Sequence, residues 1–177
     1  MTLENCWRIA KSLPLQQGDL LRDCNVPIVI PDFRAQEGEQ TTHTVRVRIF
    51  DLIVVTHSCD FLPRPPSSVL LAPISPASVY REHNADFAKK DTWEEIRKGR
   101  REGFHLLPSP ETPQEMWTTH LVDFRTLYSL PYEYIAQYAE HLGSWPRLQS
   151  PWLEHFSQGF ARFYMRVALP EPIPSFK

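Results

Sequence analysis

The amino-acid sequence predicts an α+β fold, a small and mostly antiparallel β-sheet or barrel with helical decoration. Three observations carry that reading. Val45-Arg46-Val47-Arg48-Ile49 alternates with period two, which sends Val45, Val47 and Ile49 to one face of a strand and the arginines to the other. Asp51-Leu52-Ile53-Val54-Val55-Thr56 is a nearly continuous, β-branched apolar run, the pattern of a central strand covered on both faces. From residue 131 the period becomes helical, with Trp152, Phe156, Phe160 and Phe163 spaced along one helix face.

The elements follow in order. An amphipathic stretch with Trp7, Ile9, Ala10 and Leu13 is stopped by Pro14, and Gln17-Gly18-Asp19-Leu20-Leu21 reads as a turn entering a strand. Residues 25–42 hold two short extended pieces and the polar loop Gln36-Glu37-Gly38-Glu39-Gln40. Residues 45–49, 52–56 and 69–74 are expected to be neighbouring strands, with Val47 and Val54 in the core. Residues 78–102 read as interrupted helix ending near Gly99 or Gly103. Phe104–Pro108 and Thr119–Phe124 read as two more strands separated by a Pro-rich loop. Tyr134, Ile135, Tyr138 and Leu142 mark one late helix, and Ser150-Pro151 with Glu154 a turn later marks the start of another. The expected organisation is one domain over 1–177. Its barrel core covers about 16–75 and 118–130, with a helical insertion at about 78–117 and a helical C-terminal region at about 131–168.

Composition narrows the function classes. The 177 residues are 42% hydrophobic and 12% aromatic, enough to build a core and too rich in rings for a disordered chain. Seventeen prolines against six glycines imply short elements joined by stiff turns. A net charge of −2 gives no global field to attract nucleic acid or an anionic membrane, so phosphate contacts require a local patch. No apolar run is long enough to span a bilayer, and the N-terminus lacks a basic region followed by an apolar one. Three cysteines without Cys-x-x-Cys spacing fit reduced thiols in a cytoplasmic protein.

Three groups of residues carry candidate chemistry. Thr56-His57-Ser58-Cys59-Asp60 leaves the most hydrophobic strand at its C-terminal end. There His57 beside Cys59 would lower the thiol pKa and make a nucleophile, or Cys24 would help complete a metal tetrahedron. The structural alternative is that the thiol is inert packing and that Ser58 and Asp60 cap a turn. Residues 89–101 carry six positive and three negative charges, including Arg97, Arg100 and Arg101, and form either a phosphate-binding patch or a solvated helix face. Arg46 and Arg48 stand two apart on one strand face, placed to clamp a phosphate or to pair with carboxylates across strands. The ligands available for a metal have irregular spacing, so no metal and no cofactor is expected.

The order of elements resembles the MazF/PemK toxin barrel over residues 16–75 and 118–165. The likeness rests on Gly18-Asp19 before the first strand, the polar loop and the apolar strand Leu52–Val55. It continues in Leu70-Leu71-Ala72-Pro73-Ile74-Ser75, in Leu121-Val122-Asp123-Phe124-Arg125-Thr126-Leu127 and in the C-terminal helix. The resemblance implies an SH3-like barrel, a homodimer in many members, and metal-independent cleavage of single-stranded RNA. That chemistry uses an arginine before the central strand and a Thr or Ser after the next one. Ser75 matches the second. Phe50-Asp51 stands where the family has Arg-Pro, and Arg48 is the nearest substitute.

Two readings of this resemblance stand side by side. In one, the barrel is a binding module for a protein partner, an antitoxin or defence component, or for RNA, with Arg46, Ser58, Cys59, Asp60, Arg97, Arg100 and Arg101 as contacts. In the other it is a ribonuclease in which Arg48 and Ser75 hold the phosphate and His57 moves the proton. A Cys59/His57 hydrolase is a third, from the residues alone. Arg48, His57, Asp60 and Ser75 are expected to converge at one end of the barrel.

Overall fold

Among the described residues three strands span nine residues and five span four, the short ones set off by turns and prolines. The structure, a computed structural model, describes residues 6–29, 45–110 and 119–165. Strands β1 (Trp7–Ala10), β2 (Leu20–Ile28), β3 (Arg46–Val54) and β4 (Ser68–Pro76) lead into helices α1 (Ala77–His83) and α2 (Lys90–Arg97). β5 (Phe104–Leu107), β6 (His120–Asp123) and β7 (Tyr128–Pro131) follow, then α3 (Tyr132–Leu142), β8 (Trp145–Leu148) and α4 (Trp152–Tyr164). The expected polar loop at 36–40 lies outside the described residues, as does most of the Pro-rich loop before β6.

All the strand pairs are antiparallel, and the main sheet runs β2-β3-β4-β6-β5 with β7 also on β4. β6 and β7 share one edge of β4, Val122 facing Ile74 and Tyr128 facing Leu71. β1 pairs with β8 as a separate ribbon. A bridge between Asp19 and Arg147 ties that ribbon to the start of β2. Trp7 Nε1 donates to the Pro108 carbonyl at 2.9 Å, linking β1 to the residue after β5. No ladder among the described residues closes β1 onto β5.

Alternation along the central strands divides the interior in two. Leu52 and Val54 join Leu21, Leu71 and Leu130 on the face covered by Ile135 and Ala139 of α3. Ile53 and Val55 join Leu20, Ile74 and Val122 on the face covered by Phe156 of α4. β3 is thus covered on both faces where its sequence is apolar, as its unbroken β-branched run requires. Each such fully buried side chain contributes about 1.5–3 kcal/mol. A third cluster, Phe87, Ile96, Phe104 and Leu121 with Tyr80 and Trp93 beside it, fastens the α1–α2 insertion to β5 and β6.

The Gly18-Asp19 pair has a structural task. Gly18 has φ +85°, and a Cβ there would sit 2.8 Å from Leu148 Cβ, so only glycine fits against β8. Asp19, fully buried, takes a two-pronged hydrogen bond from the buried Arg147 guanidinium. Its Oδ2 also accepts from the Gln16 N–H at 2.9 Å. This satisfied ion pair holds two segments that lie 128 residues apart.

The amphipathic stretch around Trp7 is strand, because its ladder to β8 supplies its hydrogen bonds. Two expectations are corrected. β8 interrupts the helical C-terminal region, since Trp145 and Leu148 each bury into a different core cluster. Val47 is 58% exposed and outside the core, while Val54 is fully buried. The ladder from β3 to β4 begins at Leu52, so the first half of β3 pairs only with β2 and runs past the layers that would cover it.

Candidate functional site

The polar turn after β3 is held largely by its own backbone. Thr56 Oγ1 accepts from the Leu70 N–H at 2.7 Å, closing the β3–β4 connection. Ser58 Oγ accepts from the Gln17 N–H at 3.1 Å. His57 caps a 3₁₀ turn over Ser58–Phe61, its Nδ1 accepting from the Cys59 N–H at 3.4 Å. The Cys59 thiol lies 2.8 Å from that nitrogen and 3.7 Å from Asp60 Oδ1. His57, Cys59 and Asp60 are all exposed, so nothing beside them excludes water or fixes a substrate. Cys24 is elsewhere, paired with Phe50 in the β2–β3 ladder and buried, with burial pushing its thiol up to about 11. Burial likewise pushes Cys6 up to about 12. Among the described residues no group of three or more His, Cys, Asp or Glu side chains is placed to hold a metal ion.

The expected convergence fails on strand direction. β3 and β4 are antiparallel, so the end of one lies beside the start of the other. Thr56 is bonded to Leu70 near the start of β4, whereas Ser75 pairs with Leu121 at its far end. Five residues of strand at about 3.3 Å each put roughly 16 Å between Ser75 and the turn. Arg46 and Arg48 stand exposed on the uncovered half of β3, on the face shared with Phe50 and opposite Ile28 and Val26. Arg48 is near the half-buried Tyr128, where its charge favours the phenolate, while burial has the larger and opposite effect and leaves that phenol's pKa raised.

A second region assembles from distant segments. A cleft of about 400 Å³ opens between the turn joining α2 to β5 and one side of α4. From the end of α2 comes Arg97 and from the turn Lys98 and Arg101; from β5 comes His105; from α4 come Trp152, His155, Arg162 and Phe163. Of the sequence candidates, Arg97 and Arg101 line it, while Arg100 lies in the same turn outside the lining. Its volume falls within the range of small-ligand sites.

Local packing explains each position. Phe87, Ile96 and Phe104 anchor α2 to β5, so the turn between them must project its cations outward. Arg101 is steadied by the Phe87 ring 5.1 Å beneath its guanidinium. Arg97 and Lys98 share Glu94, at 2.8 Å and 3.4 Å. The Arg97 hydrogen bond is the main reason the Glu94 carboxyl is drawn down to about 2. The lining therefore holds four cations against Glu102, and Glu94 offsets part of that excess. The cleft keeps a local positive balance on a protein whose net charge is −2.

The floor is His105. Its ring packs beside Phe124 and Phe156, with centroids 6.1 Å and 5.8 Å away. A Cβ on Gly159 would fall 2.8 Å from His105 Nδ1, so α4 can lie over this ring only because that position is glycine. His155 stands one helical turn earlier on the same face as Gly159. Burial first, and the charge of His155 second, push the His105 pKa down to about 4. His105 is therefore neutral at neutral pH. Sequence reasoning missed His105, His155, Trp152 and Arg162 as site residues, although the helical spacing of 152, 155, 159 and 162 is readable once a second element is known to face it.

No protein-family model, no curated protein and no solved structure matches the chain. No helix among the described residues is long and apolar enough to cross a membrane.

Proposed function

We propose that this protein is a single-stranded-RNA-binding module whose site is the cleft between the α2–β5 turn and α4. The observation that carries the reading is the lining itself. Arg97, Lys98, Arg101 and Arg162 ring a cavity that also contains the Trp152 and Phe163 rings. A positive groove with aromatic faces is how single strands are held without sequence readout, the cations meeting phosphates and the rings meeting bases. At about 400 Å³ the cleft has room for a small ligand or one unit of a strand. The width of a duplex is beyond it.

The fold reading that accompanies this proposal is a divergent MazF/PemK-like, SH3-like barrel of a bacterial defence or toxin–antitoxin system. The curl of the sheet supports it. β8 bridges onto β2 at one end of the strand order, β5 lies at the other, and the Trp7–Pro108 hydrogen bond brings the two margins together. Cleavage by Arg48, Ser75 and His57 draws no support from the geometry, because the strands carry Ser75 and His57 to opposite ends.

The test is fluorescence anisotropy with an unstructured labelled oligoribonucleotide across a salt series. Binding that weakens linearly in log salt, and that drops for the Arg101→Ala/Arg162→Ala double variant, is expected. Binding unaffected by that variant would remove the cleft as the site.

A further inference from the structure

We propose that the cleft is a pocket for one nucleoside 5′-monophosphate, either free in solution or as the phosphorylated 5′ end of an RNA strand. The inference rests on the RNA reading for its second source, and narrows that reading from a strand to a strand's end. Size is the first argument. Grooves that track a single-stranded backbone cover at least about four nucleotides, whereas about 400 Å³ has room for one. Charge is the second. Arg97 and Lys98 are already partly neutralised by Glu94. Arg101 and Arg162 have no salt bridge among the described residues, and they reach the cleft from its two sides, the turn and α4. Two uncompensated guanidiniums match a terminal phosphate, which carries a charge of about −1.5 to −2 at neutral pH. A phosphodiester inside a strand carries a single charge and would leave one of them unmet.

The floor supplies the third argument. Neither ring nitrogen of His105 has a hydrogen-bond partner among the described residues, and neither is sealed from solvent. The ring is neutral at neutral pH, so it brings one donor and one acceptor and no charge. Such a group has little to offer a phosphate. It suits a base, whose edge presents donors and acceptors and whose face can meet the Trp152 and Phe163 rings on the same lining. Arg162 is exposed while His105, Trp152 and Phe163 are half-buried. The phosphate therefore belongs at the rim, with the base deeper in the cleft.

The experiment uses the full chain at neutral pH and low salt. Calorimetric titration compares adenosine 5′-monophosphate with adenosine and with inorganic phosphate. The monophosphate is expected to bind at least about tenfold more tightly than either half. Arg162→Gln, at an exposed position, should weaken it about tenfold to a hundredfold and leave adenosine binding unchanged. Monophosphate binding that is unchanged in this variant, or no tighter than that of inorganic phosphate, would overturn the proposal. Anisotropy then separates the two sources, using labelled strands of one sequence that end in a 5′-phosphate or a 5′-hydroxyl. A phosphorylated strand that binds more tightly and is displaced by the monophosphate makes the strand end a ligand. Monophosphate binding where neither strand binds keeps the pocket for the free nucleotide and removes the RNA reading. Two strands bound equally, with no displacement by the monophosphate, would overturn the pocket and leave the RNA reading intact.

Discussion

The turn at His57–Asp60 and the cleft under α4 have opposite relations to the sequence. The turn packs a histidine, a serine, a cysteine and an aspartate into four consecutive residues, and all but Ser58 are exposed. One imidazole nitrogen accepts the turn's own Cys59 N–H, and the Ser58 hydroxyl accepts the Gln17 N–H from the segment before β2. The cleft gathers its groups from α2, β5 and α4, which lie far apart along the chain, with the half-buried His105, Trp152 and Phe163 rings lining it and exposed cations at its rim. Density of polar residues along a chain mostly reports a turn. Density in space, gathered around a concave surface, is what a binding site needs.

That contrast breaks if the turn outperforms the cleft in any of four measurements. The largest effect is expected from Arg101→Ala/Arg162→Ala, which should weaken RNA binding roughly tenfold to a hundredfold at low salt and flatten its salt dependence. Next, Gly159→Ala should lower stability by about 1–2 kcal/mol in a denaturant titration. The new methyl meets His105, a ring that Phe124 and Phe156 prevent from yielding, and this outweighs alanine's better helix propensity.

A smaller effect should appear with pH. The His105 pKa falls from its ordinary 6.5 to about 4 on folding, so between those values the unfolded chain binds a proton that the folded protein refuses. The contribution is fully present above about pH 6.5 and is lost as pH falls toward 4. Comparing denaturation at pH 7 and pH 4.5, His105→Gln should remove on the order of 2 kcal/mol of the pH dependence seen in the wild type. An identical pH dependence in both proteins would mean His105 is not the enclosed group. The smallest effects belong to the turn, where Cys59→Ser and Asp60→Asn should each leave stability within about 0.5 kcal/mol and RNA binding unchanged.

Sequence periodicity located β3, β4, the insertion helices, β5, β6 and the two late helices, because each is a run long or regular enough to show its period. It correctly placed Val54 in the core and wrongly placed Val47 there. Val47 lies in the alternating half of β3 and Val54 in its continuous apolar half, and β4 lies beside the second and stops short of the first. Alternation reports which residues share a face and says nothing of whether a layer covers it. β1 and β8 were illegible for a related reason. Four residues each, they are strands only because they pair with one another across the whole chain. The basic stretch 89–101 was visible, whereas Trp152, His155 and Arg162 looked like parts of a core helix until β5 was set against them. The expected meeting of Ser75 with His57 failed because sequence order does not display strand direction.

The Asp19–Arg147 pair sets an order of assembly during synthesis. Asp19 is made early and is fully buried at the start of β2, yet the guanidinium that neutralises it arrives 128 residues later. Until β8 emerges from the ribosome, burying that carboxylate leaves it with the Gln16 N–H and no countercharge, a state several kcal/mol less stable than the finished pair. The first strand of the main sheet therefore has reason to stay undocked while the rest of the sheet is being made. Closure of the fold is a late, long-range event, and a nascent chain halted before Trp145 would present the open rim of β2 to whatever chaperone or neighbouring chain it met.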